Sequence, residues 1–177
     1  MQEGLHKIVS EDETIVAIST PLGHSGIGVV RMSGAECLKV AGRFFRPHLS
    51  VSEITHRTAL VGIWNDPSGA QVDEVVVTLF KGPHSYTGED VLEISAHGNP
   101  LVLRRIVECA RLLGIRLATA GEFTLRAVAN GKMDLTQAEA VKEFIEAQTE
   151  EQAKTALRQM DGALSKRIRP IKDKLVS

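Results

Sequence analysis

Two β-branched runs, residues 57–64 and 72–80, are separated by Asn65-Asp66-Pro67-Ser68-Gly69, and this hairpin signature constrains the architecture more than any other feature of the chain. Asn, Asp, Pro and Gly in series supply the dihedrals that return one strand antiparallel to another. A chain built around such a pair is not a regular βαβ winding. The surrounding pattern agrees. Residues 14–18 and 27–32 read as strands on either side of a glycine-rich loop, 21–28. Ser33 is expected to cap a helix that carries Cys37, Ala41 and Phe44 or Phe45 at helical spacing and stops at Pro47. A loop over 81–90 leads into a strand at 91–97. Gly98-Asn99-Pro100 then opens a helix through Leu113 that closes on Gly114, and a short strand follows at 115–118. Helices and hairpins in irregular order predict an α+β domain.

After Lys132 the pattern becomes helical. Asp134-Leu135-Thr136-Gln137 and Thr149-Glu150-Glu151-Gln152 are capping-box sequences, so two helices start there. In the second, Leu157, Met160, Leu164, Ile168, Ile171 and Leu175 recur at steps of three and four, a heptad-like stripe that needs a partner helix. The stripe reaches the last residues without a glycine or proline stop, so further helices are expected along a longer parent chain. Residues 154–174 also carry seven basic side chains against two acidic ones. That run is either the solvated face of a long helix or a patch that touches phosphate.

With 177 residues, 43% of them hydrophobic and 24% charged, the chain can bury a full core and is neither fibrous nor disordered. Its formal charge of -1 gives no global attraction to nucleic acid, so any RNA contact has to be local. The two cysteines, Cys37 and Cys109, lack the spacing of a disulfide framework or a zinc site and fall on apolar helical stripes. The polar start carries no signal-peptide core, and no stretch is apolar for long enough to span a bilayer. A cytoplasmic chain without a metal site is expected.

A glycine-rich loop and three side chains stand out for chemistry. Gly23-His24-Ser25-Gly26-Ile27-Gly28 either cradles an anion or simply turns the chain, but it leads into a strand, and no GxxxxGK[ST] occurs in the sequence. Glu93 interrupts an apolar strand, as part of a solvated sheet face or as an acceptor for paired N–H donors of a ligand. Arg31 ends the strand after the glycine loop, and Lys132 sits in Asn130-Gly131-Lys132. Two cations and a carboxylate suit a small ligand with an amide-like edge and an anionic tail. His84 and His97 have no neighbour at triad or metal spacing, and no catalytic residue is assigned.

Several blocks resemble a known family: Thr14-Ile15-Val16-Ala17-Ile18-Ser19-Thr20-Pro21, Gly26-Ile27-Gly28-Val29-Val30-Arg31-Met32-Ser33-Gly34, Tyr86-Thr87-Gly88-Glu89-Asp90-Val91-Leu92-Glu93, Gly121-Glu122-Phe123-Thr124, and Asn130 through Ala140. In order and over nearly the whole chain they are similar to the tRNA-modifying GTPase family MnmE, also called TrmE. The resemblance implies an amino-terminal domain over 1–133 with the α+β fold of the glycine cleavage T protein's tetrahydrofolate-binding domain. That domain would bind 5-formyl- or 5,10-methylene-tetrahydrofolate and form a homodimer. Residues 134–177 would open the helical domain into which the family inserts a GTPase domain that uses GTP, Mg2+ and K+. With a flavin-dependent partner of the MnmG (GidA) type, the family modifies carbon 5 of the wobble uridine of tRNA.

The family's folate contacts carry over to Arg31, Glu93 and Lys132. The chain departs from the usual pattern at His24-Ser25, Ala96, Asn99 and Thr119-Ala120. The departure at His24 removes a loop cation and leaves a dimerisation scaffold without folate binding as the alternative. The P-loop lies outside these residues, so this piece alone is not expected to hydrolyse GTP.

Overall fold

The computed structural model describes residues 13–49 and 54–162. Its centre is one seven-stranded sheet in the order β3-β4-β5-β6-β2-β1-β7. The strands are β1 (Ile15–Ile18), β2 (Ser25–Ser33), β3 (Phe45–Pro47), β4 (Ala59–Asn65), β5 (Gln71–Phe80), β6 (Val91–Gly98) and β7 (Arg116–Leu117). Every pairing is antiparallel except that of β1 with β7. Among the described residues the helices are α1 (Cys37–Phe44), α2 (Pro100–Leu112), α3 (Glu122–Ala129), α4 (Leu135–Glu146) and α5 (Glu150–Met160). This is the α+β class expected.

The predicted hairpin forms β4 and β5, and Asp66 holds its turn by accepting hydrogen bonds from the backbone of Ser68 and Ala70. The apolar alternation sends Val30, Met32, Val75, Val77, Leu79, Leu92 and Ile94 to one face, where α1 and α2 close the main core. Both cysteines lie in that core, and burial pushes the Cys37 thiol up to about 12, so it is no nucleophile at neutral pH. Helix α2 starts as its sequence indicates, with the Asn99 side chain accepting from the Leu101 N–H and proline at the first position.

Three boundaries differ from expectation. Ser33 does not cap a helix: it ends β2 with its hydroxyl turned to Thr87 and Glu89, and α1 begins at Cys37 after Glu36 with no side-chain cap. Pro47 does not stop that helix, which gives way at Phe45 to the edge strand β3, where proline's missing N–H is tolerated. The glycine-rich stretch belongs partly to β2, which starts at Ser25. Gly28 is there because of close packing: a Cβ on it would lie 2.5 Å from Cδ1 of Leu103 on α2.

Both capping boxes form at Asp134 and Thr149. Helices α4 and α5 pack on each other, tied by Gln137 Nε2 donating to the Met160 carbonyl at 2.7 Å. The apolar stripe and the basic run lie outside the described residues beyond 162, and Leu157 is exposed.

Candidate functional site

Arg31 and Glu93 lie directly opposite each other on β2 and β6, in one row across the sheet that continues to Ala17 on β1 and Thr78 on β5. Alternation points this row away from the main core. Arg31 Nε and Nη2 donate to Glu93 Oε1 at 2.9 and 2.7 Å, and each side chain is 28% exposed. Both bonds fall on one carboxylate oxygen, which leaves Oε2 with acceptor capacity. The Arg31 guanidinium also lies 5.4 Å from the centre of the Tyr86 ring and 5.7 Å from that of Phe123, within cation–π range of each.

Tyr86 reaches this position from the 81–90 loop and Phe123 from α3. The Tyr86 hydroxyl and Thr124 Oγ1 are 2.9 Å apart, joining the two segments. Beside Arg31 opens a cleft of about 450 Å3, lined also by Ser19, Thr119, Thr124, Val141 and Ile145. That volume lies within the roughly 300–1,000 Å3 of small-molecule sites.

Lys132 is placed differently. Its Nζ donates to the Pro83 carbonyl at 2.8 Å, and it does not line the cleft. Asn130 Nδ2 donates to the Thr87 carbonyl at 2.8 Å. Gly88 has φ 85°, and a Cβ there would meet Asn130 Cβ at 3.0 Å, so the Asn130-Gly131-Lys132 turn straps the loop down. The structure therefore brings Arg31 and Glu93 together and sets Lys132 against the loop that carries Tyr86. His24 sits just before β2, outside the cleft.

A charged network beneath the loop is not apparent from the sequence. Arg126 is fully buried; its Nη1 donates to both Glu89 oxygens at 2.9 and 3.1 Å, and its Nη2 reaches Glu122 at 3.4 Å. Glu122 also accepts from Arg116 at 2.7 and 3.0 Å and from the Thr119 N–H at 2.7 Å. These bonds, those of Arg116 first, hold the Glu122 carboxyl down at about 2 against an ordinary value of 4.5. A carboxylate with a depressed folded-state pKa contributes stability that is complete above the unfolded value and declines as pH falls through the folded one. Glu122→Gln is accordingly expected to flatten the loss of stability between pH 4.5 and 2, measured by urea unfolding across that range. An acid limb as steep as that of the unmodified chain would contradict this assignment.

Tyr86 and Phe123 went unassigned from sequence, although one signal was available: Tyr86 is the single tyrosine of the chain and stands in a glycine-containing loop just ahead of the Glu93 strand. Among the described residues no three His, Cys, Asp or Glu side chains are grouped to hold a metal, and no helix is long and apolar enough to cross a membrane.

A family model described as GTP-binding protein TrmE N-terminus matches residues 14–132, and one described as MnmE helical domain matches residues 135–177. The tRNA modification GTPase MnmE of Koribacter versatilis (strain Ellin345) is 50% identical over 167 residues, covering 94% of this chain and 37% of the relative. Those of Aquifex aeolicus (strain VF5) and Clostridioides difficile (strain 630) are 51% and 45% identical, each over 93% of this chain and 36% of the relative. The chain thus spans a little over a third of the length of these relatives.

Proposed function

This chain belongs to the TrmE amino-terminal family, and from that premise we propose that residues 1–133 form a homodimerising domain that binds a reduced folate in the Arg31 cleft. The ligand is 5-formyl- or 5,10-methylene-tetrahydrofolate, and the domain has the tetrahydrofolate-binding fold of the glycine cleavage T protein. Residues 134–177 open the helical domain. The whole protein is a cytoplasmic GTPase that uses GTP, Mg2+ and K+ in a domain outside these residues. With a flavin-dependent partner of the MnmG type it modifies C5 of the wobble uridine of tRNA.

The observation that carries the folate reading is Arg31, which lines a cleft of ligand size beside two aromatic rings and is paired from behind the lining with the half-buried carboxylate of Glu93. The donor set fits a pterin. Glu93, with Oε2 unengaged by Arg31, accepts from the 2-amino group and the adjacent ring N–H. Charge-assisted bonds of this kind are the strong ones. Arg31 serves the ring carbonyl or the glutamate tail, and Lys132 contributes a second cation to the tail once it leaves the Pro83 carbonyl. Bound there, the folate supplies the one-carbon unit.

Glu93→Gln keeps the shape but places an N–H against a ligand N–H. An unpaired buried donor costs on the order of 1–3 kcal/mol, so 5-formyl-tetrahydrofolate should bind roughly tenfold to a hundredfold more weakly by calorimetry. Light scattering should show the variant still dimeric. Unchanged affinity in a folded dimer would reduce Glu93 to a solvated strand residue and favour a dimerisation scaffold without folate.

A further inference from the structure

The cleft beside Arg31 is not closed by the sheet domain alone. Val141 and Ile145, four residues apart on one face of α4, line it together with Ser19, Thr119 and Thr124. The packing of α4 does not account for them. Ala140 is the only buried residue of that helix, and Ile145 is 77% exposed although it faces the cleft. The main polar tie of α4 is to α5, through Gln137 and the Met160 carbonyl, and not to the sheet. Helix α4 thus presents two branched apolar side chains to a cleft whose apolar surface also includes Ile18 and the Tyr86 and Phe123 rings.

Resting on the folate reading above, we propose that Val141 and Ile145 are ligand-binding residues: they pack against the apolar aromatic middle of the folate, the p-aminobenzoyl ring, while Glu93 holds the pterin. Occupancy of the cleft then bridges the sheet domain and the helical segment. Because burial of Ile145 occurs only with ligand present, binding stabilises α4 in its place against the sheet, and by reciprocity any change that pulls α4 away weakens ligand affinity by the same factor. The side-chain chemistry sets a specificity as well. A pterin without the p-aminobenzoyl group retains the Glu93 contacts and loses those of α4.

The test uses the whole chain and two readouts. 5-Formyl-tetrahydrofolate and a simple reduced pterin lacking the p-aminobenzoylglutamate tail are titrated by calorimetry into the unmodified chain and into Ile145→Ser, an exposed position where folding is insensitive to the change. Losing the burial of a few methyl and methylene groups should weaken the folate about three- to tenfold and leave the pterin unaffected. Amide hydrogen exchange of residues 139–146 should slow when the folate is added to the unmodified chain. Glu93→Gln serves as the comparison, weakening both ligands. Equal folate affinity of Ile145→Ser and the unmodified chain, or exchange in 139–146 that ignores the ligand, overturns the inference while the folate reading stands. Failure of the unmodified chain to bind the folate overturns both.

Discussion

Arg126→Met is expected to destabilise the fold by about 3–5 kcal/mol, the range for breaking a buried ion pair by removing one partner. The cost does not come from losing attraction as such, since burying the guanidinium is itself expensive and its Nε has no hydrogen-bond partner. It comes from what is stranded. Glu122 keeps Arg116 and the Thr119 N–H, but Glu89, only 18% exposed, is left with the Ser33 hydroxyl. An uncompensated carboxylate would then sit on the inward side of the 81–90 loop that carries it. Combining Arg126→Met with Glu89→Gln removes that charge and should recover a substantial part of the loss, a non-additivity proper to residues in one network. Denaturant unfolding of the two single variants and the double variant measures it. A single variant within about 1 kcal/mol of the unmodified chain would refute the argument. Because Glu89 anchors the loop that brings Tyr86 over Arg31, the folded fraction of Arg126→Met should also bind ligand more weakly.

Trp64→Ala should cost a similar amount, about 3–5 kcal/mol, for a different reason. Trp64 is fully buried on β4, its ring 6.0 Å from that of Phe44 at a tilt of 32°, and it fills the space between the sheet and α1. Truncation leaves a cavity that a sheet clamped by α1 and α2 cannot collapse into. Trp64→Phe retains the aromatic contact with Phe44 and most of the buried ring, so it should recover more than half of the loss. The two substitutions separate stability from function. Trp64 lies in the main core, away from the cleft, so its folded fraction should bind with unaltered affinity, unlike that of Arg126→Met.

Much of the fold is written locally. The Asn65–Gly69 turn, the Asn99-Pro100 start of α2 and the capping boxes at Asp134 and Thr149 involve partners two to four residues apart, so the residue types themselves determine the geometry. Ser33 and Pro47 misled for the same reason in reverse. Each has a familiar local use, but Ser33 found a stronger partner 56 residues away in Glu89, and Pro47 found a sheet edge.

Which residues could matter in the site was legible as types: a carboxylate in an apolar strand, an arginine after a glycine loop. That Arg31 and Glu93 meet depends on the register of β2 on β6 across 62 residues, which is set by burying Val30, Met32, Leu92 and Ile94 together against α1 and α2. The rings over Arg31, the Arg126 network and the apolar α4 wall come from segments whose only common property is where the chain returns in space. Local chemistry chooses turns, caps and strands because its interactions span a few residues. The cleft is made of side chains far apart along the chain, and only packing the apolar faces, which fixes strand order and register at once, brings them together.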